Sequence, residues 1–431
     1  MNPAAAPARR IGLLSATTLV VASMLGTGVF TTSGFLLEEL GSPWLVLLAW
    51  LAGGLLATCG ALSYGALARQ LPGSGGEYYF LSRTLHPAAG VVAGWISIVA
   101  GFAAPLAAAS LAFAEYVGDW FPGVAPQALG STLLVAFAAV HALGEHRGTR
   151  LHDLTVVAEV LLVVVFVTLA LARVPSELAV HAPSARADLS AFALALIWVS
   201  FSYSGWNAAV YVGGEVRDAE RALPRALFLG TALITGLYLA LNAAFVFAAP
   251  PARLAGQADV GRLAAAALGG QPWADALTLL IAVVLAASVS AMTVAGARVH
   301  AQMAADGELP HRLAAGDRPP RAALALQCTL ALLMLWTSSF RSLLTYIGFT
   351  LNLCSAATVV GLIRLRLREG TRLPVAGWPF VPAIFLLAVL GMTLGAIFRQ
   401  PTESACGLAT LAAAWLIWRW RSRHHHRSPS D

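Results

Sequence analysis

Two short stretches and one acid carry the chemistry open to this chain. The first stretch is Ser23-Met24-Leu25-Gly26-Thr27-Gly28-Val29-Phe30, with glycines on both sides of a threonine. The second is Phe201-Ser202-Tyr203-Ser204-Gly205-Trp206-Asn207, where Gly205 sits among Ser and Asn. A glycine inside a helix costs about 1 kcal/mol relative to alanine. Ser and Asn side chains compete with the helical backbone for hydrogen bonds. Both stretches therefore read as helix interruptions. Either one alone also fits close helix packing, because small residues line many membrane helix interfaces. An interruption bares backbone N–H groups at the start of the following half-helix, where the dipole is positive and suits a carboxylate. It also bares carbonyl oxygens at the end of the preceding half-helix, which suit an ammonium group. Two such breaks side by side form a receptor for a zwitterion, of which an α-amino acid is the simplest.

The acid is Glu159. It lies inside the apolar run 154–172, and no other Asp, Glu or Arg falls within any apolar run of the chain. A charge in such a place costs several kcal/mol unless it is paired, neutralised or hydrated, which makes it a candidate coupling residue. The plainer reading is a protonated carboxyl bonded to a neighbouring carbonyl. Two couplings are open to it: exchange of a proton, or attraction of a cation such as sodium or a basic substrate group. The proton is favoured, since a metal would need about six oxygens.

The elements that must position these residues are membrane helices. Of 431 residues, 58% are hydrophobic and only 11% charged, against about 25% charged in a soluble domain. Mean hydropathy is +0.74. That excludes a cytosolic enzyme, a secreted domain and a disordered scaffold. Twelve apolar runs are long enough to span, near 11–37, 43–68, 88–114, 127–144, 154–172, 189–214, 226–249, 276–297, 322–340, 342–363, 379–398 and 404–418. A span needs about 20 residues, and runs this continuous read as helices rather than barrel strands. The two breaks fall in the first and sixth runs. That pairing points to inverted repeats of five spans with a site at the midplane.

Every one of the 27 basic residues is Arg. With the N-terminus inside, 21 of them lie on the cytoplasmic side, leaving Arg173, Arg186, Arg253, Arg262, Arg341 and Arg399 outside. The positive-inside rule then places both termini in the cytoplasm of a multi-pass cell-membrane protein. These arginines sit in short loops, so the net charge of +6 is a topology signal and no nucleic-acid partner is expected. The segment 1–10 leads straight into a span with no cleavage-site pattern. Cys59, Cys328, Cys354 and Cys406 lie in apolar runs without metal spacing, so neither disulfide, metal nor cofactor is expected. His141 reads as interfacial, Asn242 and Asn352 as bonds across helices, and Arg298 and His300 with Asp306 as a helix end. His424, His425 and His426 belong to a solvated tail. No nucleophile elbow, zinc-peptidase or P-loop pattern occurs, so no enzyme activity is expected.

Several motifs now add up to a family resemblance. Met24-Leu25-Gly26-Thr27-Gly28-Val29-Phe30, Gly41-Ser42-Pro43 and Pro72-Gly73-Ser74-Gly75-Gly76-Glu77-Tyr78-Tyr79 resemble the first repeat of the amino acid–polyamine–organocation permeases. Phe201 to Asn207, then Glu215 and Leu223-Pro224-Arg225-Ala226, are similar to the sixth span and following loop of the L-type amino acid transporter branch. Ala305-Asp306-Gly307-Glu308-Leu309-Pro310 resembles that family's loop after span 8. The resemblance covers roughly residues 10 to 400. It implies an all-α integral membrane protein of LeuT-type fold, with about twelve helices in a 5+5 inverted repeat plus two C-terminal helices. The boundaries would be 1–10, 11–174 for spans 1–5, 189–365 for spans 6–10, 379–420 for spans 11–12, and 421–431. It implies a secondary active transporter moving amino acids by alternating access, proton-coupled or exchanging. A polyamine or other organic-amine carrier of the same fold is the alternative.

Carried over residue by residue, Gly26, Thr27 and Gly28 would give N–H groups to the substrate carboxylate. Phe201, Ser202 and Ser204 would offer carbonyls to its amino group, with the Phe201 ring closing the site from outside. Met24 and Gly205 would shape the side-chain pocket. Two departures stand out: many members have a Glu where Ala66 stands, and several have a Lys at about the position of Glu159. The resemblance implies no cofactor, and no obligatory protein partner is evident. A membrane enzyme would need clustered acids and histidines at one face, a sensor an appended soluble domain; neither is seen. A channel would not need paired breaks.

Overall fold

The computed structural model describes residues 11–143, 149–175, 188–314 and 320–425. The segment 1–10 and the end of the 421–431 tail, His426 included, lie outside the described residues. The described residues are almost entirely helical: α1 (Leu13–Met24), α2 (Thr27–Leu40), α3 (Pro43–Gln70), α4 (Gly76–Thr84), α5 (Pro87–Ile96), α6 (Ala104–Val117), α7 (Pro126–Ala142), α8 (Thr149–Leu171) and α9 (Leu189–Ser202) come first. Then follow α10 (Ala219–Val246), α11 (Pro251–Leu254), α12 (Val260–Gly269), α13 (Gln271–Ala305), α14 (Arg321–Thr337), α15 (Phe340–Glu369), α16 (Phe380–Arg399) and α17 (Pro401–His425). Among the described residues, the one β-like pairing is an isolated parallel bridge between Ile11 and Val216.

Six helical stretches are each long and apolar enough to cross a membrane: α3, the Pro87–Trp120 stretch through α5 and α6, α10, α13, α15 and α16. The α1–α2 pair, bent by 40° at its break, makes a seventh. The shorter apolar helices α7, α9 and α14, and the Val156–Leu171 part of α8, occupy the expected fourth, sixth, ninth and fifth runs. Within Pro87–Trp120 the helix widens into a π-helical turn at Ser97–Ala103, a feature that tends to mark functional segments.

Local signals explain the boundaries. Gly41 ends α2 in the left-handed region at φ 67°, its N–H bonded to Leu37 O at 2.9 Å, and Pro43 opens α3 at the first turn. That is the usual division between a glycine stop and a proline start. Asp188 caps α9: its carboxylate accepts from the Ala191 N–H and the Ser190 hydroxyl, both at 2.7 Å. These bonds, with Arg399 nearby, hold the Asp188 carboxyl below the usual range. Helix α17 runs past the expected end at 418, because Arg419, Arg421 and Arg423 are good helix formers despite their charge. Arg421 there donates to the carbonyls of Gly307 and Glu308.

The helices pack as two groups. In one, α10 lies along α3 and α1, and α9 packs on α2 and α3; in the other, α6, α7, α13 and α14 pack on one another. Inside lipid, polar contacts and close packing replace the hydrophobic effect between helices. Trp50 Nε1 donates to Ser33 Oγ at 2.9 Å, Ser33 donates to Asn242 Oδ1 at 2.5 Å, and Asn242 Nδ2 donates to Tyr238 O at 2.9 Å. This chain of bonds joins α3, α2 and α10. Asn352 likewise donates to Ser200 Oγ at 2.7 Å, so both asparagines bond across helices as expected. His141 meets Ser290 Oγ at 2.9 Å. Helix α13 ends at Ala305 with Asp306 as its C-cap, as the reading of Arg298, His300 and Asp306 expects, and the His300 imidazole in its last turns is fully buried, edge-on to Phe102.

Candidate functional site

The first break falls where the glycines lie. Helix α1 ends at Met24, Leu25 turns extended at φ −65° and ψ 101°, and Gly26 is extended at φ −158° and ψ −160°. Helix α2 restarts at Thr27 with no side-chain cap on its N-terminus. The first N–H groups of a helix have no intrahelical partner. At α2 those groups belong to Thr27, Gly28 and Val29, and all three residues are buried. A site of buried, uncapped donors at the positive end of a dipole suits an anion.

The second break follows α9. The backbone turns through Tyr203–Asn207, with Gly205 at φ 101°, and resumes as a 3-10 segment, Ala208–Glu215. Only glycine adopts that φ without strain. The Phe201 carbonyl accepts from the Ser204 N–H at 2.9 Å and from the Ser204 hydroxyl at 2.5 Å. The turn thus satisfies part of its own carbonyl set.

The structure brings the two breaks into contact. A Cβ at Gly28 would overlap Cα, Cβ and Oγ of Ser202, and a Cβ at Gly205 would overlap the Ser23 carbonyl. Thr32 Oγ1 and Ser202 Oγ lie 3.1 Å apart. Helix α10 closes the junction: the Tyr238 hydroxyl donates to the Met24 carbonyl and also lies 3.2 Å from the Ser202 carbonyl. Gly26 stands apart from this packing. A Cβ there would meet nothing nearer than Ser288 Oγ, at 3.8 Å. Met24, Thr27, Gly28, Phe201 and Ser202 are buried, Gly26, Ser204 and Gly205 half-buried, and Ser23 exposed.

The two ends of this junction differ. Beyond Phe201, Phe35 packs against Trp198 and Phe340 with ring centroids 6.4 and 6.0 Å away. Arg341 pairs with Glu38, and Arg399 with Glu39. The Gly256 N–H donates to Gly34 O at 2.8 Å, so the segment between α11 and α12 covers α2 as well. At the break itself Ser23 is exposed.

Glu159 is not brought to this junction by any bond. It is half-buried on α8 and, among the described residues, has no hydrogen bond or ion pair. Sequence reasoning missed three participants: Tyr238, whose helix is uninterrupted; the Glu38–Arg341 pair, whose members lie 303 positions apart; and Glu77. The last is a buried carboxylate whose signal was present, since it ends the glycine-rich motif Pro72 to Gly76. No group of three or more His, Cys, Asp or Glu suited to a metal occurs among the described residues.

Comparison with known proteins identifies the family. A family model described as "Amino acid permease" matches residues 11–420. The large neutral amino acids transporter small subunit 2 of Mus musculus is 29% identical over 421 residues, covering 94% of this chain and 79% of the relative. The Asc-type amino acid transporter 1 of Homo sapiens is 26% identical, covering 97% and 84%. The serine/threonine exchanger SteT of Bacillus subtilis (strain 168) is 26% identical, covering 94% of each chain.

Proposed function

The chain belongs to the amino acid permease family, and from that premise we propose that it is a secondary transporter taking neutral α-amino acids at the junction of its two breaks. It is an integral membrane protein and an amino acid permease. The proposal adds the mechanism, the site and the topology. The observation that carries it is the direct contact of the two broken spans at Gly28–Ser202 and Gly205–Ser23. The N–H groups of Gly26, Thr27 and Gly28 hold the carboxylate. Carbonyls of the Ser202 and Ser204 turn hold the amino group, joined by the Phe201 carbonyl once the Ser204 hydroxyl turns away from it. The Phe201 ring closes over it, and Met24 and Gly205 bound the side chain. Neutral side chains fit best, because no ion-pair partner lies among these residues.

Alternating access then means exposing this junction first on one face and then on the other. We assign twelve spans, two inverted repeats of five and both termini in the cytoplasm, with Ser23 facing the cytoplasmic side and Phe35 the outer side. Glu159 is assigned proton coupling, since it is an acid within a span.

The test is a thermal-shift screen of the purified protein against the twenty amino acids and common polyamines, since a ligand of the folded state raises its stability by mass action. Stabilisation by one or a few neutral amino acids, lost when the carboxylate is esterified or the amine acetylated, is the expected result. Stabilisation by polyamines alone, or equally by the ester, overturns the zwitterion receptor.

A further inference from the structure

Glu77 is a buried carboxylate that none of the chemistry above uses. It lies in the first turn of α4 and is 7% exposed. It accepts from Tyr64 Oη of α3 at 3.0 Å, from Asn207 Nδ2 at 2.6 Å, and from the Tyr211 hydroxyl. Asn207 ends the turn of the second break, and Tyr211 lies in the 3-10 segment that follows it. No ion pair forms at Glu77 among the described residues. Three neutral donors, one buried and two half-buried, therefore converge on one carboxyl group, and Asn207 and Tyr211 would lose this partner without it.

The turn before Glu77 grips the same segment. Gly75 N–H donates to Tyr211 O at 3.2 Å, and Gly214 N–H donates to Ser74 Oγ at 3.0 Å. A Cβ at Gly76 would overlap the Tyr211 ring, and one at Gly213 would meet the Gly73 carbonyl at 2.6 Å. Gly75 and Gly76 both have positive φ, 118° and 57°. Helix α4 itself is set against α5 and α15, with Gly90 against Ser82 and Tyr78, and Gly361 against Thr84. Glu77 thus connects a platform on α5 and α15 to α3 and to the far end of the break.

An open turn inside a membrane is unstable by default. Each residue that rejoins a helix gains a backbone hydrogen bond, and lipid supplies none in its place. The near end of the turn is fixed by the packing of α9. The far end, Asn207 to Gly214, is fixed by Glu77 and the glycine turn. We infer that Glu77 is a positioning residue for the binding site: its carboxylate holds Asn207 and Tyr211 so that Tyr203–Gly205 stays open before a ligand arrives. The inference rests on the proposed function, in that it takes this turn as half of the receptor. A receptor held open in advance spends less of its binding free energy on ordering.

The test uses the full chain in lipid nanodiscs, with Glu77→Gln and Tyr211→Phe compared to the unmodified protein by amide hydrogen exchange. In Glu77→Gln the amide carbonyl can still accept from Tyr64 and Asn207, but the amide NH2 meets the Tyr211 hydroxyl, which must turn from donating to accepting. Exchange over residues 203–211 is expected to rise about tenfold, in line with the loss of about one hydrogen bond's net contribution, while α5 and α15 exchange as before. Tyr211→Phe, which removes one donor and keeps the ring, is expected to give a smaller rise at the same residues. For an amino acid that stabilises the unmodified protein, Kd and KM should rise about tenfold with the maximal rate within about twofold. Exchange at 203–211 unchanged in both variants overturns the inference. So does a rise spread evenly over all helices, which would make Glu77 a general packing residue. The exchange readout needs no ligand, so the absence of any amino acid ligand would count against the proposed function and leave this inference to be judged on exchange alone.

Discussion

Arg341, at the start of α15, reaches Glu38 near the end of α2. Its guanidinium also lies over the rings of Phe35 and Trp198, at 4.7 and 5.6 Å. One side chain thus ties the second half of the first broken span to α9 and α15, on the face away from Ser23. As a surface pair it is worth about 0.2–1 kcal/mol, and the ring contacts add about 0.5–1 kcal/mol. The sum is small against folding but large against a balance between two open states.

Arg341→Gln or Glu38→Gln should therefore shift that balance. With the native cysteines replaced, a cysteine at Thr31 should react about two- to tenfold faster with an impermeant maleimide in either variant. The charge-swapped pair, Glu38→Arg with Arg341→Glu, should recover part of the slow rate. Equal rates in all four proteins would remove the pair from any gating role.

The glycines of the junction are predicted to differ in tolerance. Gly26→Ala has room and an extended backbone, and transport should survive it with modest loss. Gly28→Ala would collide with the Ser202 backbone, and Gly205→Ala with the Ser23 carbonyl, in addition to about 1–2 kcal/mol for its left-handed φ. Both should lose transport while Gly26→Ala keeps it. Uptake and melting temperature measured side by side decide the point, and equal tolerance at Gly28 and Gly26 would refute the contact.

Ser33→Ala leaves the Trp50 indole N–H and the Asn242 carbonyl oxygen without their shared partner. The expected loss is about 1–2 kcal/mol of stability, read as a lower unfolding midpoint in detergent. An unchanged midpoint would mean that water replaces the hydroxyl in the bundle.

Coupling is tested at Glu159. Uptake into proteoliposomes should follow an imposed pH gradient and not sodium, and Glu159→Gln should keep exchange while losing pH-driven accumulation. A pH response unaltered in Glu159→Gln would leave the residue a structural one.

Sequence alone located both breaks because glycine and small polar residues weaken a helix wherever they occur. Gly26 and Gly205 could be recognised without knowing any neighbour. Tyr238 could not, since nothing in α10 around it departs from an ordinary span; its meaning comes from which two carbonyls lie opposite. Glu77 fell between these cases. Its motif was visible, but a carboxylate beside glycines reads as loop chemistry until Tyr64 and Tyr211 are seen to converge on it. The short helices α4, α11 and α12 escaped notice for a related reason: each is too short to show an apolar period. The acid that stood out in sequence, Glu159, was conspicuous for its apolar surroundings, and the acid with the richer set of partners was not.

The Tyr238 hydroxyl carries a consequence of simple proton counting. A phenol has one hydrogen to give, yet the Met24 and Ser202 carbonyls both face it. One hydrogen can be shared between them or given to one at a time, but it cannot make two full bonds. A primary ammonium brings three hydrogens, enough to complete the deficit and leave the phenol with a fixed partner. Bound substrate would then end the sharing, so the Tyr238 hydroxyl, divided between two carbonyls in the empty protein, should settle on one. The amine of the cargo would register its arrival as the end of a shared hydrogen bond in α10, a helix with no break of its own.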